Sequence, residues 1–196
     1  MEKRGPWSIL RSEVKYRNPW ISVVEHQVLR PDGKPGIYGV IDAGHNAATV
    51  AIDSGFNAIL LDEFVFPFGV VQPQIPSGQF RDDEDPQVAA ARELLEETGI
   101  AATSWVSLGT FQLSGGISTQ VSHLFLAQEL SFGERRLEGT EQIEMRKVPV
   151  VDAIAMCLDG RIQDSVSLVG LLRAAEWLRQ RGYGKSRPDA VNLIGA

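Results

Sequence analysis

Glu93, Glu96 and Glu97 fall within one short stretch of the chain. On a helix, residues at i, i+3 and i+4 project from nearly one side. Like charges at these spacings repel by about 0.2–0.5 kcal/mol per pair. Glu97 also lies near the expected helix C-terminus, where the helix dipole disfavours an anion. A bound cation offsets both costs. Hard carboxylate oxygens with no histidine or cysteine nearby point to Mg²⁺ or Mn²⁺. Mg²⁺ takes one or two carboxylates, keeps waters and completes its shell with substrate phosphates. The chemistry open to these residues is therefore chemistry on a phosphate substrate, carried through a metal. Taken alone, a Glu-Glu pair is an ordinary solvated helix surface, and so is the acidic run Asp82 to Asp85. What surrounds the glutamates decides between the two.

The element that must hold them is a helix with clear ends. Asp85 is a good N-cap, Pro86 a good first helical residue and Gly99 a C-terminal stop. Val88, Ala91 and Leu95 share one face, with Leu94 alongside, and predict the buried side. Before this helix, Ile21–Leu29 and Ile37–Ile41 read as a β-hairpin around the turn Pro31 to Gly36. Ala47–Ile52 and Ala58–Phe66 read as strands flanking an Asp53-Ser54-Gly55 turn, followed by an extended stretch from Pro67 to Pro76. After the helix come strands over Trp105–Leu113, Val121–Ala127 and Glu144–Val148. Two helices then follow, a short one over Val151–Leu158 and a longer one over Asp164–Gly182. Leu168, Leu171, Leu172, Ala175 and Leu178 mark the apolar side of the longer one. Strands that precede and flank isolated helices predict an α+β fold with a mixed sheet.

The spacing around the glutamates is specific. Gly78 is followed after five residues by Glu84, and after seven more by Arg92-Glu93-Leu94-Leu95-Glu96-Glu97-Thr98-Gly99-Ile100. This pattern resembles the Nudix box at all nine fixed positions. The resemblance implies a loop–helix–loop motif in an α/β/α sandwich. It also implies divalent-metal hydrolysis of a nucleoside diphosphate linked to another moiety. In the family pattern Glu93, Glu96 and Glu97 serve the metals, while Arg92 and Glu84 form an orienting ion pair.

Flanking segments extend the likeness over residues 18–180. Asn18-Pro19-Trp20, Ile75-Pro76-Ser77-Gly78, Ser114-Gly115-Gly116, His123 to Ala127 and Asp159 to Asp164 resemble the ADP-ribose pyrophosphatase branch. That likeness implies a metal ligand at the Ser77 carbonyl. It also implies dimers that exchange N-terminal strands, with both subunits building the pocket. Residues 1–44 then form an N-terminal strand region for dimerisation, 45–182 a Nudix catalytic domain and 183–196 a tail. The hairpin of 21–41, marginal by itself in water, gives a second reason to expect a homodimer.

The branch places its general base on a loop after the box. Here Glu141 is the first candidate and Glu138 the second, with Glu93 the box alternative. Trp20, Tyr38, Phe64 and Gly116 are the candidate substrate contacts, and Phe66 is a further possible platform. His26, His45 and His123 show no metal-ligand spacing, and His123 reads as a packed strand histidine. Two positions depart from the branch. Gln74 stands where it often has Glu, and Asp62-Glu63-Phe64-Val65-Phe66 lacks the usual arginines. A lost guanidinium removes a bidentate phosphate contact, so the expected substrate is an NDP-sugar broader than ADP-ribose. The alternatives are a nucleoside triphosphate or dinucleoside polyphosphate hydrolase, and a nucleotide-sensing Nudix domain without catalysis.

Composition agrees with this frame. The chain has 196 residues, 43% of them hydrophobic, enough for one real core. Its formal charge of −6 opposes binding to nucleic acid or to anionic membranes. An acidic protein meets a diphosphate through metal ions. Cys157 is the one cysteine, which excludes an internal disulfide and a multi-cysteine zinc site. It sits among apolar residues and reads as a small buried hydrophobe. No signal-like segment and no run of about 18 apolar residues is present, so the expected location is cytoplasmic.

Overall fold

A computed structural model of the chain describes residues 2–80, 83–135 and 143–182. These residues form eleven strands and three helices. They divide into two units. One holds the chain up to His45 together with Phe111–Val121; the other holds Asn46–Thr110 and the described residues from Ser122 on.

In the first unit β1 (Glu2–Arg4), β2 (Trp7–Arg17), β3 (Ser22–Leu29) and β4 (Pro35–Asp42) pair in that order as an antiparallel sheet. β3 and β4 are the hairpin that the sequence predicts. Its turn is closed by Gly33 in the left-handed region at φ 77°. β1 and β2 correct the sequence reading, which assigns no strand before residue 21. The register of β2 shifts between Ile9 and Arg11 and again between Val14 and Tyr16. Two such bulges break the period-2 alternation that a strand is recognised by. The hairpin is thus part of a four-stranded sheet, and the instability of an isolated hairpin no longer applies. The loop after Leu113 is tied to the end of β4: Ile41 N–H donates to Ile117 O at 2.7 Å, and Thr119 N–H to Ile41 O at 3.0 Å.

The remaining elements are β5 (His45–Ala51), β6 (Asn57–Val65), β7 (Val70–Gln74), β8 (Ser77–Phe80), α1 (Pro86–Thr98), β9 (Ile100–Gln112), β10 (Val121–Phe132), β11 (Ile143–Pro149), α2 (Val150–Leu158) and α3 (Ser165–Gln180). Strands order as β8-β5-β10-β9 and as β11-β6-β7. β5 and β10 run parallel while β6 is antiparallel to both its neighbours, so the expected mixed α+β arrangement is present. β5 and β6, adjacent in sequence, lie in different sheets and are joined only by the isolated bridge Ile52↔Ala58. β7 forms within the Pro/Gly-rich stretch and carries Pro73 at a sheet edge, where a missing donor is tolerated.

α1 and α3 sandwich the β5–β10 sheet. Ala89 and Ala90 of α1 pack with Ala47, Phe80 and Phe125, and Thr49 Oγ1 donates to Ala90 O. On the opposite face, Gly170 of α3 approaches Ile75, Val50 and Leu124 so closely that a Cβ would collide with Ile75. Leu94 joins Ala51, Ile59, Ile100 and Ala127 in one buried cluster. Asp85 caps α1 by accepting from Gln87 and Val88 N–H, and Gly99 ends it at φ 71°. The predicted face of α1 needs correction. Val88 is 60% exposed and Leu95 42%, whereas Ala89, Ala90, Leu94, Glu97 and Thr98 are buried. The buried stripe is built from small residues and contains a glutamate, so counting apolar residues selects the wrong side.

Candidate active site

The segment entering α1 and the helix itself bring the predicted residues together. β8 runs beside β5, and its start is held on three sides. Thr49 N–H donates to Pro76 O at 2.9 Å, and Asn46 Nδ2 donates to Gly78 O at 3.3 Å. Asn46 is itself fixed by Ser122 Oγ, which donates to Asn46 Oδ1 at 2.8 Å. Ser77 N–H donates to Glu97 Oε2 at 3.2 Å, which sets the backbone of the predicted carbonyl ligand beside the innermost glutamate. Asn46 and Ser122 are functional supports that the sequence reading missed. They are far apart in the chain and meet only across the parallel β5–β10 ladder.

Gly78 lies against Glu93. A Cβ at Gly78 would overlap the Glu93 carboxyl group, so the box glycine is the space into which that carboxylate fits. Glu97 is only 6% exposed, Glu93 is mostly buried and Glu96 is the most open of the three. Arg92 ties them to the preceding loop. Its Nη1 donates to Glu93 Oε1 at 2.7 Å and to Glu96 Oε2 at 3.1 Å, and its Nε donates to Glu84 Oε1 at 3.2 Å. Partial burial weakens the Arg92 charge, but the hydrogen bonds and charges of Glu84 and Glu93 outweigh it and hold the guanidinium above its ordinary pKa.

The donor chemistry fits a hard divalent cation: only carboxylate and carbonyl oxygens, two of the carboxylates withdrawn from water. In the arrangement described, Arg92 neutralises Glu93 and Glu96. Among the described residues, no three acidic, imidazole or thiol groups converge on one point. Glu93, Glu96, Glu97 and the Ser77 carbonyl are the residues that would hold the ion. The predicted bases Glu138 and Glu141 lie outside the described residues, as does the tail 183–196.

The predicted substrate contacts divide between the units. Tyr38 and Gly116 come together in the first: the tyrosine hydroxyl donates to Gly116 O at 2.7 Å. They line a cleft of about 270 Å³ with Trp7, Ile9, Val28 and Val40, and the Trp7 and Tyr38 rings meet edge-to-face at 5.5 Å. Trp7 is a cleft residue that the sequence reading missed, for the same reason that it missed β2. Trp20 is exposed on the β2–β3 turn and does not line the cleft; its N–H is held by Asn18 Oδ1. Phe64 is exposed on β6 in the second unit. His123 packs its ring edge-to-face on Phe80 at 5.4 Å, as a packed histidine should.

Comparison with known proteins follows the same line. A family model for the Nudix domain matches residues 44–166. The chain belongs to the Nudix family. A second model, described as a nucleoside diphosphate sugar hydrolase N-terminal domain, matches residues 7–41. An ADP-ribose pyrophosphatase of Bacillus subtilis is 29% identical over 147 residues, covering 74% of this chain and 80% of that protein. A GDP-mannose pyrophosphatase of Yersinia enterocolitica is 33% identical over 99 residues, covering 48% of this chain and 51% of its own length. A crystal structure of an ADP compounds hydrolase superposes with a TM-score of 0.82 at 19% identity. It covers 93% of this chain and all of the other, which shows the same fold. The Nudix hydrolase reading and its sandwich fold are thereby borne out.

Proposed function

We propose that this Nudix hydrolase cleaves the pyrophosphate bridge of a nucleoside diphosphate joined to a sugar or similar group, releasing a nucleoside monophosphate and a sugar phosphate. The observation that carries this reading is the box geometry: three glutamates on one side of α1, Gly78 cradling Glu93, and Arg92 bracing Glu84, Glu93 and Glu96. The names of the relatives, ADP-ribose and GDP-mannose pyrophosphatase, supply the substrate class.

Water attacks one phosphorus, and the bond from that phosphorus to the bridging oxygen breaks. A bound Mg²⁺ or Mn²⁺ supplies charge neutralisation on the phosphate oxygens and lowers the pKa of the attacking water. Glu97, with Glu93, Glu96 and the Ser77 carbonyl, binds the ion; Arg92 keeps the carboxylates oriented. Glu141 takes the proton of the attacking water, with Glu138 and Glu93 as the alternative bases. Tyr38 and Gly116, which share a cleft of the first unit with Trp7, are nucleotide contacts. Trp20 and Phe64 offer exposed ring faces to substrate. The protein works as a cytoplasmic homodimer.

The strand in which the ADP-ribose branch carries arginines bears Asp62 instead, and Asp62 accepts from Arg146 Nη2 at 2.8 Å. Losing a charge-assisted bidentate contact costs about 1.5–3 kcal/mol, roughly 10- to 150-fold in affinity. ADP-ribose is therefore one substrate among several. The experiment is kcat/KM for ADP-ribose, ADP-glucose, GDP-mannose and UDP-glucose, each with Mg²⁺ and Mn²⁺. Several sugars cleaved within tenfold of one another support the reading. Preference for ADP-ribose beyond a hundredfold, or full turnover after metal stripping in EDTA, overturns the corresponding part.

A further inference from the structure

The cleft of the first unit has apolar walls and few polar side chains, and most of these are committed. The Tyr38 hydroxyl donates to Gly116 O, and Thr119 Oγ1 donates to Asp42 Oδ1 at 3.2 Å. Ser118 Oγ accepts from Gln120 N–H at 3.1 Å. Arg4 is paired with Glu2 at 3.6 Å, both well exposed. His26 differs. It sits on β3, the strand flanked by β2 and β4, directly opposite Ser12 on one side and Tyr38 on the other. Ser12 Oγ lies 2.8 Å from His26 Nδ1, so one ring nitrogen is engaged within the sheet. Among the described residues no hydrogen bond reaches the other nitrogen, Nε2.

Aromatic and aliphatic walls hold any nucleobase, because every base has a π-face. They cannot rank bases. A hydrogen-bonding group in an apolar cleft can, because a ligand that fails to pair with it leaves the group desolvated and unsatisfied. We propose that His26 is the residue that discriminates among nucleobases, through a hydrogen bond from Nε2 to the edge of a base lodged beside Trp7 and Tyr38. Ser12 is its positioning residue: by engaging Nδ1 it fixes the orientation of the ring and leaves Nε2 to face the ligand. The inference rests on the proposed nucleotide substrate and adds the side chain that reads it.

The test is calorimetric binding of AMP, GMP, CMP and UMP to the full-length protein, with hydrolysis of the matching nucleotide sugars run in parallel. The expected wild-type result is at least a tenfold spread in Kd between the best and worst nucleotide. His26→Phe keeps the walls and should compress that spread to within threefold, acting on KM rather than kcat in hydrolysis. His26→Gln restores a hydrogen-bonding edge and should restore a spread with an altered ranking; it also serves if the phenylalanine variant fails to fold. Ser12→Ala should narrow the spread without abolishing binding. Wild-type protein that binds all four nucleotides equally or none of them, or variants that keep its ranking and spread, overturns the assignment. Base-selective binding without hydrolysis of any nucleotide sugar would instead overturn the proposed activity and leave His26 standing.

Discussion

Glu97 is a carboxylate almost wholly removed from water at the C-terminal end of a helix, with a backbone N–H from Ser77 on one oxygen. Burial and the helix dipole both work against its charge, which supports the proposed ligand role. Glu97→Gln keeps the shape and an oxygen that can still accept from Ser77. We expect kcat to fall about 10³-fold, equivalent to about 4 kcal/mol of barrier, with the metal-free melting temperature unchanged or slightly raised. Wild-type turnover by this variant removes Glu97 from the site. Cys157 makes a second residue-scale prediction. Burial, aided by the charge of Asp159, pushes its thiol up to about 11. Above pH 9 the unfolded chain loses this proton while the folded chain keeps it, so stability falls as pH rises from 9 towards 11. Urea unfolding across that window should show a decline that is smaller in Cys157→Ala; an identical decline refutes it. At this scale the glutamates and Arg92 were legible because their spacing is local. Asn46 and Ser122, which hold the Gly78 backbone, were not, since nothing in either neighbourhood points to the other.

The loop–helix element depends on Gly78. A methyl group there collides with the end of the flexible Glu93 side chain, not with backbone. Gly78→Ala should therefore displace the carboxylate at little cost to the fold. The expected result is a loss of kcat of about 100-fold, in line with disturbing a metal ligand's support, with a thermal midpoint within a few degrees of wild type. Retained turnover would show that Glu93 does not need that position. The ends of α1 were readable from sequence because caps are chemical: Asp85 supplies the acceptor and Gly99 the left-handed residue. Its buried face was not, because Ala89, Ala90 and Glu97 give no apolar stripe. The same limit hid β2, where bulges near Leu10 and Lys15 scramble the alternation.

For the whole molecule, the formal charge of −6 sets where two copies can meet. Like-charged chains repel over most of their surface. From Phe64 to Phe80 there is no charged residue, and within that stretch the β6–β7 hairpin exposes Phe66 at 87% and Phe68 at 76%, with Val70 and Val71 also open. β7 is moreover the edge of its sheet, and an edge without charged gatekeepers is open to pairing. A contiguous exposed apolar patch marks an interaction site. The proposed homodimer thus has a second candidate contact in this hairpin, beside the N-terminal strands, where Tyr16 and Ile37 are also exposed. Light scattering at micromolar protein should give the mass of two chains. Because the contact is apolar and the surrounding repulsion is screened by salt, added NaCl should strengthen the association. Replacing Phe66 and Phe68 together by Ser should shift the protein to monomer without lowering its melting temperature at fixed monomer mass, since both rings are open to water within one chain. A wild-type monomer, or a dimer indifferent to both substitutions, counts against this hairpin as the contact.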